Sequence, residues 1–359
     1  MRRVRGMRIV AVLAIGGLAL SAAACGDKPS SNNGSSGNGK KYKACMVTDV
    51  GGIDDKSFNT SAWQGLQDAK AANGNIEIKY SASKAETDYQ PNLNALVTEK
   101  CDLILAVGGL MTDATKAAAA ANPAQKFAII DSNIPAANVY SMQFNTAQAG
   151  FLAGYLAAGS SKSGKVATWG GLKIPPVTIF MDGFAEGVAH YNKVKSKTVA
   201  VLGWDNKSQE GLFAGSFTDQ NKGKQLAEQL VAQGADVIMP VAGGAGLGTA
   251  SAAQASGGKT SVIWVDADGC KSAAQYCDVF MTTVVKNIAG AVKDAVVAGA
   301  DGKALTGAFT GVLGNNGVSL APYNKFDSKV PAELKTEIDA LKKDIVDGKI
   351  KIESPAQPK

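Results

Sequence analysis

"CDLILAVGG" (residues 101–109) and "ADVIMPVAGG" (residues 235–244) are two versions of one phrase. Each passes an aspartate, runs through a short Val/Ile/Leu stretch and stops at two glycines, and each follows a Leu-containing helical pattern. A short apolar run between breakers, with no alternation of polar residues, is the mark of a strand buried on both faces of a parallel sheet. Two such strands, far apart in one chain, point to a duplication.

The surroundings extend the echo. In the first half, apolar runs at Ala44–Val47, Ile76–Tyr80, Leu103–Val107, Phe127–Ile130 and Val139–Phe144 alternate with helical patterns at Ser61–Asn73, Asp88–Lys100 and Thr112–Asn122. Strand–helix alternation of this kind predicts a parallel sheet with helices on both faces. In the second half, "KVATWGG" (165–171) answers "ACMVTDVGG" (44–52), "TVAVLGWD" (198–205) answers "IEIKYSAS" (76–83), and "SVIWVDADG" (261–269) answers "KFAIIDSN" (126–133). Phe58 with Gly65-Leu66 finds counterparts in Gly183-Phe184 and Gly187-Val188.

The fold class is therefore α/β, with two doubly wound lobes. Their expected boundaries are 41–145 plus about 282–310 for the first lobe, and 146–281 plus about 311–359 for the second. The chain then crosses between lobes near Asn145, Thr282 and Thr310, and the helical stretch Pro331–Asp347 belongs with the second lobe. In such sheets ligands sit beyond the carboxyl ends of the strands, where strand order reverses. Corresponding strands of the two copies end in Asp131 and Asp266. Facing lobes would put both acids in one cleft, with closure about a hinge.

The N-terminus reads separately. Arg2, Arg3, Arg5 and Arg8 precede a short apolar stretch, Ile9–Leu20, which has the length of a secretory signal rather than a membrane span. It ends in Ser21-Ala22-Ala23-Ala24-Cys25-Gly26. Small residues followed at once by cysteine resemble a bacterial lipobox, with Ala22 where leucine is favoured. The expectation is a signal peptide over 1–24, lipidation of Cys25, and a flexible Ser/Asn/Gly tether over 25–40. The protein would be held by lipid on the outer face of a membrane.

This N-terminus explains the charge. The formal balance is +6, and without the four signal arginines 33 basic side chains stand against 31 acidic ones. Nucleic acid loses its compositional support as a partner. Four further cysteines remain, an even number in an exported chain, which favours disulfides. Cys270 and Cys277 are close in sequence, and Cys45 and Cys101 each begin a strand, so these pairs are expected, with four free buried thiols as the alternative.

Catalytic and cofactor motifs are weak. "GGKTS" (257–261) lacks the Walker A glycine, since position 253 is Ala253. "GGAGLG" (243–248) lacks the last fingerprint glycine, since position 249 is Thr249. Asp49, Asp54 and Asp55 lack the spacing of an EF-hand and suit helix capping better than calcium. One histidine, His190, lies in a helical pattern, and no G-x-S-x-G elbow occurs. No cofactor, metal or catalytic residue is assigned. Paired carboxylates at Asp131 and Asp266 leave acid–base chemistry open, although an ionised aspartate is also suited to accepting from vicinal hydroxyls. Phe58 and Phe217, one aromatic per lobe in loops, suit either core packing or stacking on a flat ring.

"VTDVGGIDDKSFNTSAWQGL" (47–66), "FAIIDS" (127–132), "GFLAGYLAA" (150–158), "GSFTDQNKGK" (215–224), "VDADG" (265–269) and "TTVVK" (282–286) resemble the basic membrane lipoprotein family, together with the duplicated glycine-ended strands. These are PnrA-like substrate-binding lipoproteins of ABC transporters for purine nucleosides. The resemblance spans nearly the whole mature chain. It implies the type I periplasmic-binding-protein fold, an ABC permease as partner, and no enzyme activity. It implies that Phe58 and Phe217 sandwich a nucleobase, that Asp131, with Asp49 and Asn59, reads the base edge, and that Asp266 and Lys286 hold the ribose hydroxyls beside the backbone of Gly243-Gly244. One departure is visible: the family usually has Asp-Ser-Asp-Gln where this chain has Asp266-Ala267-Asp268-Gly269. A sugar or autoinducer as ligand, and a nucleoside hydrolase, are the competing readings.

Overall fold

The computed structural model describes residues 41–358. The expected signal peptide, the lipidation site Cys25 and the tether lie outside the described residues. Among the described residues no helix is long and apolar enough to cross a membrane.

The first half of the chain forms β1 (Tyr42–Val50), α1 (Phe58–Ala72), β2 (Ile76–Ser83), α2 (Tyr89–Thr98), β3 (Leu103–Val107), α3 (Thr112–Ala121), β4 (Lys126–Ile130) and β5 (Val139–Phe144). Next come α4 (Thr146–Ser160), β6 (Lys165–Gly170), α5 (Pro175–Lys195), β7 (Ala200–Leu202), a two-residue ribbon β8 (Trp204–Asp205) and β9 (Glu210–Gly211), α6 (Gln220–Ala232), β10 (Val237–Val241), α7 (Leu247–Ala255), β11 (Ser261–Asp266), α8 (Gly269–Ser272) and β12 (Phe280–Lys286). The chain closes with α9 (Ile288–Ala300), β13 (Ala308–Gly311), β14 (Val318–Leu320) and α10 (Ala332–Val346).

Two six-stranded sheets result, ordered β2-β1-β3-β4-β5-β13 and β7-β6-β10-β11-β12-β14. The first is parallel throughout, and the second is parallel except for β14 against β12. The quoted echo falls on β3 and β10, the same position in each sheet. Both strands are buried along their whole length, as continuous apolar runs require.

The lobes exchange segments. Helix α4 follows β5 but packs on α5 of the second lobe, while α9 follows β12 and packs on α1 of the first. Glycine permits the close α4–α5 approach: a Cβ at Gly154 would stand 2.0 Å from the Phe184 carbonyl oxygen, and one at Gly187 1.9 Å from that of Phe151. The first crossing lies at Asn145. Beyond the crossing expected near Thr282, β12 stays in the second sheet up to Lys286, pairing with β11 and β14. Asn287 then caps α9, its Oδ1 accepting from Gly290 N–H at 3.0 Å. β13 pairs with β5 as far as Gly311, opposite Phe144, next to the crossing expected near Thr310.

Candidate functional site

β1 and β3 end where the first sheet reverses its strand order, and β6 and β10 end at the equivalent point of the second. Between these ends lies a cavity of about 60 Å³. Seven of the eight residues named from sequence line it: Asp49, Phe58, Asp131, Phe217, Gly244, Asp266 and Lys286. Asn59 does not. It is 1% exposed and sits behind the wall, donating through Nδ2 to Asp49 Oδ1 at 2.6 Å and Asp55 Oδ2 at 3.2 Å.

The backbone aims the acids. Asp131 follows β4 with φ 65° and Asp266 ends β11 with φ 67°, both in the left-handed region that non-glycine residues seldom adopt. The same unusual conformation at the same place in both copies indicates strain retained for positioning. Gly108, with φ 118°, leaves room for Asp49: a Cβ there would lie 3.1 Å from Asp49 Oδ2 and 3.4 Å from the Phe58 ring.

The two lobes are closed on each other. Ser57 Oγ, at the start of α1, donates to Asp266 Oδ2 at 2.8 Å. The Lys56 carbonyl accepts from Trp264 Nε1 at 3.2 Å and Ser272 Oγ at 2.7 Å. Lys286 Nζ, from β12, lies 2.5 Å from Asp131 Oδ2, with side chains 2% and 7% exposed. Its ammonium also lies 5.0 Å from the ring centre of Phe58, 5.6 Å from Phe144 and 5.5 Å from Phe180.

Burial raises the Asp266 carboxyl to about 6, against the opposing pull of Lys286 and the Ser57 hydroxyl. Asp131 is also raised by burial, with Lys286 opposing. Asp49 is pushed well above the usual carboxylate range, first by burial and then, against Asn59, by Asp55, Asp131 and Asp266.

Sequence reasoning did not place Asp55, Gly108, Pro176 or Phe180 at the cavity. Asp55 does begin α1, accepting from the N–H groups of Ser57, Asn59 and Thr60, but it also faces the cleft. Phe180 stands within the apolar run of α5, where nothing distinguishes a cavity-facing ring from a core one. The cysteines form Cys45–Cys101 and Cys270–Cys277, with Cα separations of 5.9 and 4.6 Å. The second bridge closes the loop that carries Ser272 to Lys56.

Little at the site suits covalent catalysis. His190 lies away from the cavity against Phe151 and Tyr155, with ring centres 5.2 and 6.0 Å away, and burial lowers its basicity. Among the described residues no His, Cys, Asp and Glu cluster is placed to hold a metal. Rings, acids, one lysine and glycine backbone facing a closed space can hold a flat, polar small molecule.

Comparison with known proteins places the chain in a family. Residues 42–354 match the family described as "ABC transporter substrate-binding protein PnrA-like". The ABC transporter nucleoside-binding protein BmpA of Lactococcus lactis subsp. cremoris is 34% identical, covering 97% of this chain and 99% of its own. Basic membrane protein B of Borreliella burgdorferi is 35% identical over 73% of this chain and 74% of its own. A solute-binding protein of an ABC transporter system from Aeropyrum pernix K1 superposes with TM-score 0.79 at 25% identity, covering 88% of this chain and 94% of its own. The chain belongs to the PnrA-like family of ABC transporter substrate-binding proteins, built on the two-lobed fold of periplasmic binding proteins.

Proposed function

We propose that this protein captures a purine nucleoside outside the cytoplasm and delivers it, chemically unchanged, to an ABC permease, while anchored to the membrane through lipid on Cys25. One arrangement carries the reading: Phe58 and Phe217 line the same cavity from opposite lobes, and the polar lining between them is carboxylate, ammonium and glycine backbone. Two rings brought together by closure suit a flat heterocycle. Asp131, Asp49 and Asn59 serve the base edge, Asn59 by holding Asp49. Asp266, Lys286 and the Gly243-Gly244 turn serve the ribose hydroxyls. The name of the Lactococcus relative supports the ligand class.

The test is a thermal-shift screen of unfolded and refolded protein against purine nucleosides, free bases, ribose and nucleotides. A ligand at a hundred times its Kd adds about 2.7 kcal/mol of stability. Stabilisation by nucleosides, but by neither base nor ribose alone, is the expected result. Stabilisation by sugars alone would defeat the reading, and release of free base during incubation would identify a hydrolase.

A further inference from the structure

Four aspartates and one lysine line the cleft, and the acids are unequally compensated. Asp131 has the Lys286 ammonium. Asp55 accepts from three backbone N–H groups, the Thr60 hydroxyl and Asn59 Nδ2. Asp266 accepts from Ser57 Oγ. Asp49, 8% exposed, has a single donor, Asn59 Nδ2, on Oδ1.

Among the described residues no cation balances Asp49. The charged and titratable groups around it are Asp55 before α1, Asp131 beyond β4, Asp266 at the end of β11, and the buried phenol of Tyr89 at the start of α2. Lys286 is engaged by Asp131. An ionised carboxylate in this setting would be buried beside three acids without a counter-charge, which is the costly form.

The geometry also selects the oxygen. Oδ1 is occupied as an acceptor, so a proton on this carboxyl sits on Oδ2. That oxygen lies against Gly108, which lines the cavity beside Phe58, and has no hydrogen-bond partner among the described residues.

We propose that Asp49 acts as a neutral carboxylic acid whose Oδ2–H donates into the cleft to an acceptor on the ligand, so that capture is accompanied by uptake of a proton. This rests on the purine reading for the nature of the acceptor, a ring nitrogen or carbonyl oxygen on the base edge. An ionised Asp49 would meet the same acceptor with lone pairs and repel it. Asp49 thereby selects ligands by which edge they present.

The sign of the pH dependence follows. In an open cleft Asp49 is solvated and titrates in the ordinary carboxylate range; in the closed cleft its pKa is raised. Affinity is greatest below the ordinary range, falls as pH rises between the two values, by up to about tenfold per unit for one proton, and levels off above the raised value.

The experiment is calorimetry of the mature protein with inosine, guanosine and adenosine at about pH 5.5, 6.5 and 7.5, in paired buffers of different ionisation enthalpy. Wild type takes up about one proton through Asp49 and weakens as pH rises. Asp49→Asn keeps an N–H donor toward the cleft and loses this share of both effects. What Asp266 and Asp131 contribute remains in the variant. Identical pH slopes and proton uptake in wild type and variant, or no uptake in either, overturn the proposal. If no nucleoside binds at any pH, the purine reading falls instead. The infrared difference spectrum of the protein with and without whichever compound of the thermal-shift screen stabilises it then decides: a protonated-carboxyl stretch that appears on binding at neutral pH and is lost in Asp49→Asn upholds the neutral acid, and its absence in the wild-type complex overturns it.

Discussion

Lys286 Nζ and Asp131 Oδ2 meet at 2.5 Å although the lysine belongs to the second sheet and the aspartate to the first. The pair exists only while the lobes are together. Removing one partner of a buried ion pair leaves the other charge uncompensated, at a cost of about 3–5 kcal/mol. In an open cleft water would reclaim Asp131 and most of that cost would vanish. Lys286→Met is therefore expected to weaken ligand affinity by more than about a hundredfold, with a smaller loss of Tm in the ligand-free protein. Calorimetry beside thermal melts checks this, and an affinity within threefold of wild type would show that the pair does not govern closure.

The two rings should contribute separately to affinity. Stacking of a base on an aromatic side chain is worth about 1–3 kcal/mol per ring by alanine substitution. Phe58→Ala and Phe217→Ala should each raise Kd by roughly tenfold to more than a hundredfold for a nucleoside, and much less for ribose. Phe58→Tyr and Phe217→Trp should restore most of the loss. Equal losses for ribose would make both rings structural.

Asp266 gives a stability prediction with a definite sign. Burial raises its folded pKa to about 6 from the ordinary carboxylate value of 3.8. Its neutral form is thus the one the fold favours, fully below the unfolded pKa, and this contribution is lost as pH rises through about 6. The loss is about 3 kcal/mol. Denaturant melts of wild type and Asp266→Asn, from about pH 4 to pH 7, should diverge with the variant the less pH-sensitive of the two. Parallel curves would contradict it.

The disulfides should differ in weight. Cys45–Cys101 spans 56 residues and Cys270–Cys277 spans 7, so loop-closure entropy favours the first by about 2 kcal/mol. Cys45→Ser with Cys101→Ser should lower the Tm more than the paired change at Cys270 and Cys277. The latter should act on affinity, because its loop carries the Ser272 hydroxyl that reaches Lys56 across the cleft. Calorimetric Kd and Tm for both double variants separate the effects.

The architecture was legible because duplication writes the same pattern twice, and a buried parallel strand leaves an unbroken apolar run. Asp131 and Asp266 could be named because they stop equivalent runs, but their left-handed backbone is invisible in sequence, where aspartate is only permissive of it. The crossing expected near Thr282 was hard to place from sequence for a local reason. Thr282 and Thr283 are β-branched polar residues inside a buried strand, whereas the true signal was Asn287 as a helix cap. Asn59 was expected in the cleft because the family resemblance implied it reads the base edge with Asp131 and Asp49. On a helix, neighbouring residues point about 100° apart, and Asn59 turns into the wall to hold Asp49 and Asp55. Phe180 carried no usable signal, since α5 is apolar around much of its circumference.

The exchange of segments between lobes has a consequence for the order in which the chain can fold. The first lobe is missing its edge strand, β13, and the helix that covers α1 until residues 288–311 have been made. By then nearly all of the second lobe has already emerged. That lobe in turn waits for β14 and α10. Neither half can be finished before the other is nearly complete, and a fragment ending at Asn145 is an open-edged sheet rather than a domain. Synthesis thus delivers two interdependent halves almost at once, and the finished protein should gain its cooperativity late, in a single step near the C-terminus.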